Sequence, residues 1–352
     1  MIRFETRARP TALVSAAAPL GAILAALLLA TIPLAAAGAP VGRAFALMAA
    51  GAAGSTFALT ETLTRATPLI LTGLAAAVAF RARLYNIGAE GQLYVGALAA
   101  VAVGSGAVNG PPTLLVPLVL LAAAAAGAGL MLGPTILKAR FGVDEVVTTL
   151  LLNFVVLLFV QMMLEGPFKD PMGGGWPQSE PILPEATFPA LIDRMRLHAG
   201  LPIALGFCAI AHVLVARTVL GLQIRAVGEN AAASAYAGIP VLRTLLVVGA
   251  LSGALAGLAG ASEVAGLKGN LTADLSRGFG YAGIVVAMVA GLQPLAVVPA
   301  AVLVAGVFVG ADTMSRSYGV SSYIADLMVS LALLCVLVAG LFVRFRIRWE
   351  RA

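Results

Sequence analysis

Charge is what this chain has least of. Only 11% of its 352 residues are Asp, Glu, Lys or Arg, where soluble domains carry about 25%. That excludes a soluble globular fold, and apolar runs recur along the whole length, leaving no room for a large soluble domain. Cysteine and histidine are almost missing, with two of each. Cys208 and Cys335 lie within apolar runs and read as small core residues, which excludes a disulfide framework or a cysteine metal site. His198 and His212 are too few for a metal cluster, and His212 reads as a packed polar residue in an apolar helix. The residue alternation of an outer-membrane barrel is absent. So is the clustered basic surface on a soluble domain that nucleic acid requires.

What is present is 61% hydrophobic sequence with 39 glycines, a composition suited to membrane helices packed through small side chains. The fold class expected is an all-α polytopic integral membrane protein with about ten transmembrane helices, some of them broken. The expected spans are 13–37, 64–80, 92–108, 113–137, 146–164, 200–216, 245–265, 281–291, 295–311 and 323–343. The first follows Arg3, Arg7 and Arg9; it is too long for the apolar core of a signal peptide and reads as an uncleaved helix. Residues 38–63 are mixed and expected along the outer face. The run 281–291 is too short to cross alone at 1.5 Å per residue. Residues 164–199 hold six prolines between Pro167 and Pro189, and are expected as an external loop with one short helix near 190–197. With the N-terminus inside, 14 of the 22 Lys and Arg residues fall on cytoplasmic segments. The positive-inside rule then puts both termini, and the stretch 221–244, in the cytoplasm.

Three polar clusters interrupt the apolar runs. In LYNIGAEGQLYVG, Asn86, Glu90 and Gln92 stand among Gly88, Gly91 and Gly96. Ionisable groups at membrane depth are costly and functional, and the glycines allow a broken helix facing a cavity. The other reading is a cytoplasmic turn with Glu90 in water. In GVDEVVTTLLLNF, Asp144 and Glu145 favour a helix start. Thr148 and Thr149 are suited to bonding back to the preceding turn, which leaves Asn153 as the polar group to explain. In GASEVAGLKGN, Glu263 closes a span ahead of Lys268 and Asn270, and GFGYAG, with Phe279, enters the short run that follows.

The stretch 221–244, GLQIRAVGENAAASAYAGIPVLRT, is a polar island flanked by Arg217, Arg225 and Arg243. Asn230 is placed to cap a helix over 231–237, built mostly of alanine. Gly238 suits the left-handed position after its end, and Pro240 stops it. A helix that short is marginal alone, so docking against a partner is expected, with an ordinary basic loop as the plainer alternative.

In this order and spacing, FRARLYNIGAEGQ, FGVDEVVTTLLLNF, RAVGENAAASAYAGI and GFGYAGIVVAMVAG resemble permease subunits of bacterial ABC importers. The superfamily is that of branched-chain amino acid, ribose and nucleoside permeases, and the likeness covers 67–343. The Asn-Ile-Gly-x-Glu-Gly-Gln form is similar to the nucleoside branch, and the simple-sugar branch shares the scaffold. The resemblance implies a single permease domain over 1–352 that carries a nucleoside or related small polar solute across the bacterial inner membrane. It implies a second permease subunit (a different chain, or a second copy), an extracytoplasmic substrate-binding protein, partner ABC ATPases and surrounding lipid. ATP and Mg would be held by the ATPase, with no cofactor in this chain. No G-x-x-x-x-G-K-[ST] phosphate loop occurs in the sequence, so the chain is not expected to hydrolyse ATP. On this reading Asn86, Glu90, Gln92, Asn153, Glu263, Asn270 and Phe279 belong to the substrate path. Gly228, Glu229, Asn230, Ala233, Ala237 and Gly238 belong to the ATPase coupling element. Alternatives are a ribose-like sugar permease and an ion-coupled secondary transporter, which would have broken helices but no coupling loop.

Overall fold

The computed structural model describes residues 2–6, 12–36, 38 and 40–349. Arg7, Arg9 and Arg351 of the charge count, and Ala37 at the expected end of the first span, lie outside them. The helices in chain order are α1 (Ala12–Ala36), α2 (Val41–Ala53), α3 (Thr56–Arg81), α4 (Ala89–Gly104), α5 (Pro112–Phe141) and α6 (Glu145–Glu165). They continue with α7 (Gly200–Arg217), α8 (Val219–Glu229), α9 (Ala231–Tyr236), α10 (Val241–Glu263), α11 (Phe279–Val289), α12 (Pro294–Tyr318) and α13 (Ser322–Arg344). Two short strands, β1 (Ile2–Thr6) and β2 (Phe345–Trp349), pair antiparallel with Ile2 opposite Trp349.

Each of the ten expected spans overlaps a helix, although 92–108 runs past the end of α4 at Gly104 and 281–291 past the end of α11 at Val289. Six helices among the described residues are long and apolar enough to cross a membrane: α3, α5, α6, α7, α10 with its continuation to Lys268, and α12. α4 and α11, at 16 and 11 residues, are shorter. Three expectations are corrected. α3 begins at Thr56 rather than 64, because its polar residues do not break it: the Thr60 and Thr67 hydroxyls donate to the Phe57 and Leu63 carbonyls of the same helix, which removes their cost in an apolar setting. Residues 219–229, expected as loop, form α8. The Thr218 hydroxyl caps it by accepting from the Gly221 N–H at 3.1 Å, and Ile224 and Val227 are buried on one face. Residues 190–197 form no helix. Leu191 N–H donates to Leu197 O and Arg194 sits at φ 61°, outside helical space.

The chain divides into two compact units, Met1–Thr62 with Leu303–Ala352, and Leu63–Val302. In the first, α1 runs along α13 and α2 closes a core of Leu34, Ala44, Met314 and Met328.

The second unit is centred on α10, which packs on α4 and α5. Its glycines make that possible. A methyl group at Gly257 would lie 2.1 Å from Ala123 O, and one at Gly260 would lie 2.0 Å from Leu93 O. Backbones this close need small residues at helical spacing, as in membrane helix pairs generally.

The connections of this unit collect at two ends. At one, the Pro-rich segment 166–199 is strapped down by its backbone. Ser179, Ile182 and Phe188 N–H groups donate to the Leu271, Gly269 and Ala265 carbonyls at 2.8–2.9 Å, and Leu183 N–H donates to Gly104 O at 2.8 Å. His198 is buried here, with Phe188 beside its ring, and its Nδ1 accepts from Gly200 N–H. At the other end, Arg81 Nε donates to Leu292 O at 2.8 Å in the α11–α12 turn. α8 also presses on this end, where a methyl at Gly228 would lie 2.0 Å from Arg81 O.

Candidate functional site

The site begins where α3 stops. Arg83 takes a left-handed conformation (φ 52°), and Leu84 N–H turns back to Ala79 O. Residues 82–88 then lead, without helix, into α4. Asn86 fixes this break. It is fully buried, donates to Gln92 Oε1 (2.8 Å) and Ser252 Oγ (2.9 Å), and accepts from Gln92 Nε2 and Gly88 N–H (both 2.9 Å). An amide side chain has two donors and two lone pairs, so its capacity is filled. Gln92 also reaches Met131 Sδ at 3.3 Å, and the Ser252 hydroxyl donates to Ala75 O. The break is thereby pinned to α3, α5 and α10 at once.

Asn153 does the same from α6. Its Oδ1 accepts from Gly91 N–H at 2.9 Å, and its Nδ2 donates to Ile87 O (3.0 Å) and Tyr281 Oη (3.1 Å). The neighbouring threonines behave as expected: Thr148 and Thr149 hydroxyls donate to the Asp144 and Glu145 carbonyls. Glu145 pairs with Lys138 and accepts from Tyr85 N–H, tying the start of α6 to the break.

Glu90 is 5% exposed, which removes the reading of a solvated turn carboxylate. It sits in the first turn of α4, and its Oε2 accepts from Gly280 N–H, in the first turn of α11, at 2.7 Å. Ser276 and Gly278 also stand close to it. The backbones are nearly in contact there, for a methyl at Gly280 would lie 2.2 Å from Glu90 N. Two short helices therefore begin side by side. Both N-terminal ends carry positive partial charge, and one acidic side chain lies between them, offsetting both. This arrangement holds a polar break inside an apolar bundle.

The other expected path residues lie further along the same connection. Glu263 is buried at the end of α10, where a π-helical turn, Val264–Lys268, begins, and it feels the charges of Arg65 and Lys268. The Arg65 guanidinium stands 5.8 Å from the centre of the buried Phe279 ring. Asn270 is half-buried on the strapped connection and is not brought into the Asn86 cluster. Tyr94 links the groups: its hydroxyl donates to Ala273 O (2.8 Å) and accepts from Ser276 N–H (3.1 Å).

The helix expected in 221–244 is α9. Asn230 Oδ1 accepts from Ala233 N–H at 3.0 Å, Gly238 has φ 82°, and Ile239 N–H closes on Ser234 O. Glu229 and every residue of α9 except Ser234 are exposed, and Ala237 and Gly238 with them. Gly228 is buried against α3, as described. Sequence reasoning missed Tyr236, 97% exposed on α9. It also missed Ser252, Met131, Tyr94 and Tyr281. A lone serine in LSGALAGLAG carried a signal that went unused, since it is the one hydroxyl in a glycine-rich interface; nothing in the sequence marked the other three.

A sequence model of the family described as branched-chain amino acid transport system, permease component, matches residues 58–338. The guanosine ABC transporter permease of Bacillus subtilis is 37% identical, over 90% of this chain and 92% of that one. The glucose ABC transporter permease of Haloferax volcanii is 33% identical, over 94% and 89%. The nucleoside ABC transporter permease of Lactococcus lactis is 34% identical, over 75% of each. No solved structure matches the chain.

Proposed function

This chain belongs to the family of permease components typified by branched-chain amino acid transport systems, and from that premise we propose that it carries a nucleoside across the membrane. It is a multi-pass protein of the bacterial inner membrane and the permease subunit of an ABC importer, a family whose ATPase is a separate subunit. The nucleoside reading rests on the relatives named for guanosine and nucleosides, and on the likeness of the Asn86–Gln92 motif to that branch. The glucose permease relative supports a sugar as the second reading.

The observation that carries the mechanism is Glu90 between the first turns of α4 and α11. On our reading Asn86, Gln92 and Asn153 position the broken segment, since their polar atoms are turned on one another. Glu90 holds the two helix ends together until the transport cycle separates them. Glu263, Phe279 and Asn270 are assigned to the external approach, under the strap 166–199. α9 is the contact for an ATPase. A push on α9 reaches α8, whose Gly228 abuts the Arg81 carbonyl, two residues before the break begins to turn at Arg83. Rigid helices in contact transmit such motion as a body.

Ten spans with both termini in the cytoplasm agree with the arrangement of the connections. Of the segments assigned inside, Arg81, Gly228 and Leu292 meet at one end of the second unit, and of those assigned outside, Gly104, residues 179–188 and residues 265–271 meet at the other. The two chain ends pair as β1 and β2, as termini on one side must in order to meet. The remaining partners are a second permease subunit, expected to be a different chain, and an extracytoplasmic binding protein. Uptake into proteoliposomes holding the complete transporter tests the substrate. Labelled guanosine should accumulate with ATP and be displaced by other nucleosides but not by glucose or ribose. Accumulation of glucose or ribose with none of guanosine would replace this reading with the sugar one.

A further inference from the structure

A cleft of about 270 Å³ opens in the second unit between α5 and α7, floored by α10 and closed at the back by Val78 of α3. Its lining is entirely aliphatic apart from Phe207. No lining side chain offers a hydrogen bond, so a hydroxylated solute bound there would leave its polar groups unsatisfied; the cleft is no part of a nucleoside or sugar path.

Its depth and its mouth identify what fits. Leu121 lies nine residues into α5 and Ile210 ten into α7, about 14–15 Å from the helix starts, near the middle of a hydrocarbon layer roughly 30 Å thick. Both are rim residues and exposed, at 67% and 60%, while Leu255 and Leu258 on the floor are 6% and 4% exposed. The cleft therefore opens sideways, at mid-membrane depth, into the space that the bilayer fills. An apolar cavity of about 150 Å³ already accommodates a benzene-sized guest, so this one has room for a length of hydrocarbon chain. Left empty, its walls would forgo dispersion contacts that a chain supplies.

We propose that this cleft is an intramembrane site for one acyl chain of a bilayer phospholipid. The chain would rest on the Leu251–Leu258 face of α10, which adjoins Ser252, the residue that holds Asn86 from a different face of the helix. The site is independent of which solute is carried.

The test uses the assembled transporter in liposomes containing a phosphatidylglycerol with a photoactivatable diazirine at the middle of one acyl chain, followed by mapping of adducts by mass spectrometry. Adducts are expected on the α10 floor, at Leu255 and Leu258, as well as on the rim at Leu121 and Ile210. Ala211→Trp, which fills the cleft from α7, should abolish the floor adducts and retain those at Leu121, which then serve as the control for folding. Labelling of the rim with an unlabelled floor in the parent protein overturns the proposal, because it means ordinary boundary lipid or a protein segment seated in the cleft. Floor adducts that survive Ala211→Trp overturn it as well.

Discussion

At the scale of single residues, Glu90 carries the most. Leucine at this position would keep much of the volume and remove the acceptor for Gly280 N–H. A buried donor left unpaired costs about 1–3 kcal/mol. Glutamine keeps one acceptor oxygen but presents an NH₂ group to a place where backbone and hydroxyl donors converge, so it should be milder. Glu90→Leu should therefore lower both the unfolding temperature and the rate of uptake, with Glu90→Gln between it and the parent. Normal uptake by Glu90→Leu would remove the residue from the mechanism. Polar residue types in apolar surroundings made Asn86, Glu90, Gln92 and Asn153 legible in the sequence. Their role was not legible, because whether an amide faces a path or another amide depends on residues far along the chain, such as Ser252 and Tyr281.

Among elements, two are poised for measurement. α9 is exposed on nearly every side, so a large residue there disturbs a partner rather than the fold. Ala233→Trp should leave insertion and expression intact while the ATPase no longer co-purifies or no longer responds to loaded binding protein. Gly238→Val should act similarly through strain, since φ 82° disfavours a β-branched residue. Complexes of Ala233→Trp that assemble and transport like the parent would take the coupling role from α9.

The strap 166–199 makes a prediction about acid. Burial holds the His198 imidazole down to about 4, from an ordinary value of 6.5. The folded strap thus binds a proton less readily than the released one. Its docking is at full strength above about pH 6.5, weakens as pH falls toward about 4, and then levels off. The protection factors of the Ser179, Ile182 and Phe188 amides, each taken relative to the intrinsic exchange rate at that pH, should fall through that window, and His198→Phe should flatten the dependence. Protection of these amides that is unchanged from pH 7 to pH 4 in the parent would count against a role for the ring.

For the whole molecule the decisive quantity is orientation. A single cysteine at Gly174, exposed in the strap, should react with an impermeant maleimide in intact spheroplasts, and one at Ala352 should react only after lysis. The reverse pattern would invert every assignment of inside and outside, including the placement of α9 beside an ATPase.

What the sequence determined by itself was the class of solvent and the places where helices start and stop. Scarce charge and long apolar runs require a bilayer, and local signals suffice for ends: Asn230 and Gly238 bracket α9, and Asp144 caps α6 by accepting from Val146 N–H at 2.7 Å. These effects act within a turn or two of chain. Only the tertiary structure decided that the Pro-rich connection is a docked strap rather than a free loop, that residues 219–229 are helical, and that the first turns of α4 and α11 share one carboxyl group. Each depends on partners about 80 to 190 residues distant or on burial of a face, and no local propensity encodes the geometry by which Gly280 comes to lie against Glu90.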